Sequence, residues 1–309
     1  MKIEIKLIKK FLFFILITLS LDAKLIDFNI KPDWLETNEY MDITILDSKE
    51  LKFDSYKKIK FREISALAFK DNILYALNDK SDLFKFKLEI KDNKIKSLEL
   101  EESLKLKDEN GEKLPKLNRD SEGMLLVENK LLISFEKNPR VEIYSLNARR
   151  VKNLPINKKL RDIEDYIAPN KALESLAYNR HYCLITMPEI PFKSKHYHTL
   201  YAKERSWKFQ THGSVTALEF IDENRVLVLE RNFNYFTRAR KTVLSVIDLR
   251  SSKKICKSRV IARFKSSDGW HLDNFEGLTK IGKNRFLIIS DDNESFFQKT
   301  LLVLFSIDI

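Results

Sequence analysis

The stretch Asp273-Asn274-Phe275-Glu276-Gly277-Leu278, followed by Ser290-Asp291-Asp292-Asn293, decides how this chain is read. Between the two polar clusters lie apolar runs at 278–281 and 286–289, joined by Gly282-Lys283-Asn284-Arg285. Short apolar runs on either side of a turn of that composition predict a β-hairpin. Its open end gathers Asp273, Glu276, Asp291 and Asp292.

Four earlier segments repeat the unit. The first starts at Glu63, turns at Asp71-Asn72 and returns to Asn78-Asp79. The second runs from Asp120-Ser121-Glu122-Gly123 through a turn at Glu128-Asn129-Lys130 to Glu136. The third starts Leu173-Glu174-Ser175, turns at Asn179-Arg180 and ends at Glu189. The fourth runs from Ser214-Val215-Thr216 through Asp222-Glu223-Asn224 to Glu230-Arg231. Starts at 63, 122, 174, 216 and 276 give a period of roughly 40–60 residues. Further strand-like runs follow each hairpin, which matches a four-stranded propeller blade. The expected fold is all-β, a β-propeller with five motif-bearing blades. Residues 24–61 supply the outer strand that closes the last blade onto the first. A sixth, degenerate blade built from 24–61 and a two-sheet sandwich are the competing architectures. With only six Gly in the chain, the turns fall to Asn, Asp and Lys.

The remaining composition narrows the class. At 309 residues and 43% hydrophobic, with 21 Phe, the chain can bury a sizeable core. The net charge is +11, but the Lys residues are scattered between strands, so no nucleic-acid partner is expected. Lys2, Lys6, Lys9 and Lys10 precede an apolar run at 11–21 and then Asp22-Ala23-Lys24, the layout of a secretory signal over residues 1–23. Ser20 is the alternative cut. The run is shorter than the ~20 residues a membrane-spanning helix needs, and no Cys follows it to carry a lipid. The mature domain, 24–309, is expected to be periplasmic or secreted, monomeric and without a stable membrane anchor. Cys183 and Cys256 could pair in an oxidising compartment, although Tyr182-Cys183-Leu184-Ile185 reads more as a buried thiol.

In a propeller the first strand of each blade lines the axis. Glu63, Glu122, Glu174 and Glu276 are therefore expected around one mouth, with Asp79, Glu136, Glu189, Glu230 and Asp291 just outside. Thr216 interrupts the inner ring. Converging carboxylates must be offset. Arg62, Arg119, Lys137, Arg140 and Arg231 could form a salt-bridge lattice, some carboxyls could keep a proton and act as general acids, or a hard cation such as Ca²⁺ could sit among the oxygens. Capping of neighbouring backbone is the plain structural role. The sequence has no G-x-S-x-G, Walker A, G-x-G-x-x-G, C-x-x-C or H-E-x-x-H motif. His196-Tyr197-His198 lacks a third ligand in the sequence and reads as a solvated pair.

Taken together, Asp120-Ser-Glu-Gly123, Ser134-Phe-Glu136 leading to Asn138-Pro-Arg140, Leu173-Glu-Ser-Leu176, Val228-Leu-Glu-Arg231, Asp273-Asn-Phe-Glu-Gly277 and Ser290-Asp-Asp-Asn293 with Gln298-Lys-Thr300 resemble the phytase-like family. Its members are also described as having esterase-like activity. The resemblance runs from about Glu63 to the C-terminus and implies an exported β-propeller acting on phosphate or other esters. On that reading Glu122, Glu174 and Glu276 are catalytic. Asp273, Glu276 and Asp291 hold a divalent cation, Ca²⁺ being the first choice. Arg140, Arg231 and Lys299 bind a small anionic ester. A non-catalytic propeller that binds a ligand or protein, and a lactonase-like propeller with one metal in its channel, are the alternatives.

Overall fold

A computed structural model of the chain describes residues 21–53, 60–193, 195–251 and 253–309. The segment 1–20, which carries most of the export expectation, lies outside the described residues.

Among the described residues, apart from four single turns of 3₁₀-helix, the regular structure is β. Blade one comprises Ile64–Lys70, Ile73–Asn78, Asp82–Lys91 and Lys94–Lys105. Blade two comprises Ser121–Val127, Lys130–Phe135, Arg140–Ser145 and Arg150–Leu154. Blade three is built from Leu173–Asn179, Cys183–Pro188, His198–Tyr201 and Ser206–Phe209. Blade four contains Ser214–Phe220, Arg225–Phe233, Arg240–Asp248 and Ser258–Lys265. Blade five has Asn274–Lys280, Arg285–Asp291 and Leu301–Ile307, and takes its outer strand, Ile43–Lys52, from the start of the chain. The five inner strands pack on one another in cyclic order, blade five returning to blade one.

The closure follows the expectation for 24–61. Ile43–Lys52 runs antiparallel to Leu301–Ile307, from Ile307 opposite Ile43 to Leu301 opposite Glu50. Lys24–Asp27 adds one more strand outside it. These residues are thus used up in blade five. The propeller has five blades, and neither a sixth blade nor a sandwich forms. At the outer edge of blade one, Leu21 and Asp22 pair with Leu100 and Glu99, and the Ala23 N–H donates to the Leu98 carbonyl. A cut after Ser20 would keep that short strand, and a cut after Ala23 would remove it. No helix among the described residues is long and apolar enough to cross a membrane.

Middle strands are continuous apolar runs, such as Val226 to Leu229, because neighbouring blades cover both of their faces. Phe84 and Phe86 of blade one meet Leu287, Ile289, Leu302 and Leu304 of blade five, so the closing seam is a dry interface. Trp270 packs at a tilt against Tyr40 at 4.8 Å and edge to face with Phe264 at 4.6 Å, pinning the N-terminal segment to blades four and five. As the scarcity of Gly implies, left-handed turn positions are held by Asp71 (φ 51°), Asn72 (φ 63°), Asp92 (φ 52°) and Asn93 (φ 57°).

Both cysteines are free thiols, so the two do not pair in this fold. Cys256 is buried, whereas Cys183 is exposed, contrary to the reading of its apolar run. Cys183 sits opposite Asn179 at the very mouth of a hairpin, where the chain is still turning (φ 59°).

Candidate functional site

Each inner strand begins with the same irregularity. Its pairing with the second strand slips by one residue, leaving Ser65, Glu122, Glu174, Thr216 and Glu276 as the extra residue in blades one to five. Such a bulge re-aims a side chain that would otherwise alternate into a blade face. All five positions are buried. The inner ring therefore has three carboxyls and two hydroxyls. Glu63, expected in the ring, lies two residues before the bulge. It takes a left-handed φ of 52° and pairs with Lys80 at the surface.

The two hydroxyls stitch blades together: Ser65 Oγ donates to the Ser121 carbonyl at 3.0 Å, and Thr216 Oγ1 to the Phe275 carbonyl at 3.3 Å. The carboxyls behave differently. Among the described residues no donor or cation is bonded to Glu122 or Glu174. Glu276 Oε1 accepts from Asn274 Nδ2 at 2.8 Å and faces Arg231 Nη2 at 3.0 Å. The residue after the bulge is small in every blade: Ala66, Gly123, Ser175, Ala217 and Gly277. A Cβ on Gly123 would lie 2.7 Å from the Glu174 carbonyl oxygen, so the inner strands approach too closely for a side chain there.

A second ring follows from the same register. Ile64, Ser121, Leu173, Val215 and Phe275 face Asn78, Phe135, Pro188, Glu230 and Ser290. The next residues outward are Asp79, Glu136, Glu189, Arg231 and Asp291. In blade four the acidic position is thus an arginine. Glu230, read as its acidic member, lies one residue inward, where Ser245 Oγ donates to it at 2.7 Å and the His212 N–H also donates. Arg231 reaches Glu276, Asn274 Oδ1 at 2.6 Å and Glu189 Oε1 at 3.6 Å. Lys171, which the sequence reading missed, adds a second cation 2.5 Å from Glu189 Oε2. Its only sequence signal is its place three residues before Glu174.

Two cations do not balance this many carboxyls, and burial together with their mutual repulsion raises their pKa values. Burial, then Glu174, Asp79 and other carboxylates, pushes Glu122 well above the usual carboxylate range. Burial, then Glu189 and Glu136, does the same to Glu174. Asp79 is raised by burial and then by Glu276. Glu136 is pushed up to about 8, mainly by burial, and Asp291 to about 8, by burial and then Glu276. Glu276 is raised by burial against the opposing pull of Arg231. Oxygens of Asp120, Glu122 and Glu136, and of Glu136, Glu174 and Glu189, come within 4.8 Å of one another, so either trio could hold a metal ion. Asp273, Glu276 and Asp291 form no such group among the described residues. Asp273 instead accepts the backbone N–H of Lys299 at 2.8 Å and of Asn274 at 3.0 Å.

The expected anion binders separate as well. Arg140 stacks 3.9 Å over Phe135, and its nitrogens bond Glu142 Oε1 at 2.9 Å and the Asn118 carbonyl at 2.9 Å. Glu142 also accepts from Arg150 and Tyr144, completing a buried structural cluster. The alternation Arg140-x-Glu142-x-Tyr144 places all three on one strand face and was readable from sequence. The Lys299 ammonium pairs with Glu50 at the rim. Only Arg231 enters the site. His198 is buried between the Glu189 carbonyl (Nε2, 2.9 Å) and Thr211 Oγ1 (Nδ1, 2.7 Å), and burial lowers its pKa to about 4, which fixes it as a structural residue instead of a solvated one.

Above the rings, at the mouth between blades three, four and five, lies a cavity of about 410 Å³. Lys171, Arg231, Arg240 and Lys241 line it together with Glu189, Asp273, Phe233 and Tyr235. At the inner ring, between Ser65, Glu122, Glu174 and Thr216, the axis narrows to a void of about 10 Å³, roughly one water. Glu189 belongs to both the cavity wall and the Glu136–Glu174–Glu189 trio, and so joins the open space to the buried carboxyls.

No curated protein sequence gives a significant match. Among solved structures, the chain is similar to the PQQ-bound aldose sugar dehydrogenase of Streptomyces coelicolor (10% identity, 84% of this chain and 98% of that one, TM-score 0.42). It is also similar to U3-55K (7% identity, 85% and 98%, TM-score 0.44) and the Dos1 propeller (7% identity, 84% and 73%, TM-score 0.35). Likeness at this level carries no argument about activity. A family model described as "Esterase-like activity of phytase" matches residues 59–294, the span that contains every bulge, both rings and all of the cavity wall but Gln298, and the chain belongs to this phytase-like family.

Proposed function

We propose that this protein is an exported hydrolase of phosphate esters or related anionic esters, working at the acidic mouth of the propeller with a divalent cation, Ca²⁺ in the first instance. What carries the reading is the position of Glu189, shared between a cavity lined by four cationic side chains and a buried carboxyl trio with one member, Glu174, that no described residue hydrogen-bonds or ion-pairs. An unoffset buried carboxyl is costly and serves no packing purpose there, since Ser65 and Thr216 join blades in the equivalent places at no electrostatic cost.

In this reading Arg231, Lys171, Arg240 and Lys241 hold the anionic group of the ester. Glu136, Glu174 and Glu189 would hold the cation, which when bound polarises the ester and lowers the pKa of a water. Glu122, whose carboxyl burial and neighbouring carboxylates push well above the usual range, keeps its proton and serves the proton relay from the inner ring. Glu276, held toward its ionised form by Arg231, accepts the proton of the attacking water. The water oxygen bonds to phosphorus, the ester oxygen departs, and the alcohol leaves carrying a proton. Asp273 and Asp291 orient the loops around Lys299 and Asn293 and stand outside the proton path.

The test is turnover of a panel of phosphate and carboxylic esters by the purified mature protein, with Ca²⁺ and with chelator. Metal-dependent hydrolysis that Glu174→Gln abolishes supports the proposal. Turnover unchanged in that variant would falsify the site assignment. A melting temperature that rises with Ca²⁺ while no ester is cleaved would instead make the rings a structural ion site of a non-catalytic propeller.

A further inference from the structure

Resting on the hydrolase reading, we propose that the ester accepted at this mouth carries one anionic group and an aromatic or similarly flat apolar alcohol, and is not a polyanion. Two independent features of the cavity wall lead there. The first is charge. Of the four lining cations, Lys171 already faces Glu189 at 2.5 Å, Arg231 faces Glu276 at 3.0 Å, and Arg240 lies 3.7 Å from Asp273. Lys241 has no carboxylate ion pair among the described residues. The register of blade four sets Lys241 opposite Lys265 and Val243 opposite Arg263, placing Lys241, Arg263 and Lys265 on one sheet face. Lys265 is met by Asp268 at 3.5 Å, but neither Lys241 nor Arg263 has a carboxylate ion pair among the described residues, so this cationic corner is short of anions. A single phosphate or carboxylate satisfies it, whereas a polyphosphate would set its remaining charges against Glu189 and Asp273.

The second feature is the aromatic wall. Phe233 and Tyr235 meet edge to face at 5.0 Å, and the Arg240 guanidinium lies 5.6 Å from the Phe233 centroid. Tyr235 nevertheless stays 79% exposed while lining the cavity. A flat apolar group between the cationic corner and these rings would cover surface that the protein alone leaves wet. The cavity's 410 Å³ suits a small aryl ester.

The experiment compares kcat/KM for 2-naphthyl phosphate, glycerol phosphate and inositol hexakisphosphate with the Ca²⁺-loaded mature protein. Calorimetric binding of benzylphosphonate, which cannot be hydrolysed, runs alongside. The aryl ester is expected to lead glycerol phosphate by about tenfold, the ratio that ~1.4 kcal/mol of extra contact produces. Tyr235→Ala, an exposed position that threatens no fold, should cost the aryl ester at least ~threefold more than glycerol phosphate, through KM. Lys241→Gln should weaken benzylphosphonate binding. Preference for inositol hexakisphosphate, an equal effect of Tyr235→Ala on all substrates, or no benzylphosphonate binding at millimolar concentration overturns the proposal. If no ester turns over but benzylphosphonate binds and Tyr235→Ala weakens it, the hydrolase reading fails and the ligand class stands.

Discussion

Arg231 Nη2 lies 3.0 Å from Oε1 of Glu276, joining blade four to blade five at the one point of the outer ring where an acidic residue gives way to a basic one. A repeat unit that elsewhere supplies carboxyls supplies its own counter-ion here. The fold thereby tolerates five clustered blades of nearly identical design.

Arg231→Gln leaves Glu276 and Glu189 facing each other across a buried gap. The loss of stability at pH 8 should be roughly 2–3 kcal/mol, below the ~3–5 of a fully enclosed pair because Arg231 retains some solvent contact. At pH 5 Glu276, whose carboxyl burial raises, binds more protons and the loss should shrink. Urea melts at the two pH values measure both. A loss equal at both values would mean that Arg231 acts by packing instead of charge.

Glu122→Gln and Glu174→Gln should move activity and stability in opposite directions. Each removes a buried carboxyl without a described partner, so the melting temperature at pH 8 should rise, while ester hydrolysis falls by about 10²-fold or more. Parallel thermal and kinetic measurements decide it, and a fall in both would assign these residues to the framework.

Without metal, stability should decline as pH rises. Glu136 and Asp291 titrate near 8 in the folded chain but in the ordinary range near 4 when unfolded. Below that ordinary range both states are protonated and the stabilising contribution is fully present. Between about 4 and 8 only the unfolded chain ionises, and the contribution is lost. A chelated sample should therefore melt several degrees lower at pH 8 than at pH 5. Added Ca²⁺ competes with these protons and should restore more at pH 8. Scanning calorimetry at both values, with and without Ca²⁺, is the check.

Gly123→Ala should destabilise the protein by roughly 1–3 kcal/mol, the usual cost of overpacking. The new methyl would meet the Glu174 carbonyl oxygen and Ser134 Oγ, each at 2.7 Å, in a strand that cannot retreat from the axis. Gly111→Ala, where nothing lies within 4 Å but φ is +86°, reports backbone strain alone and should cost less.

The blade count was legible because hairpin turns and acidic residues keep a common phase, and phase survives in a bare sequence. Ring membership was legible only to within a residue or two. The bulge inserts one residue into each inner strand, and sequence cannot say whether Glu63 or Ser65 occupies it, nor whether Glu230 or Arg231 lands on the outer ring. Glu122, Glu174 and Glu276 were found because each directly precedes the Gly or Ser that opens its apolar run. The fates of Arg140 and Lys299 depend on partners supplied by neighbouring strands. Glu142 shares a strand with Arg140 and could have been noticed, but Glu50, the partner of Lys299, arrives from 249 residues away.

The pairing of Ile43–Lys52 with Leu301–Ile307 also imposes a timetable. In a chain that emerges N-terminus first, from a ribosome or through any channel, the closing strand appears early and its partner comes last. Until then Leu287, Leu302 and Leu304 cannot seal against blade one, and the ring stays an open arc with apolar edges. The propeller is therefore built to complete itself only after the whole chain has been delivered, and its earliest strand spends the longest time waiting.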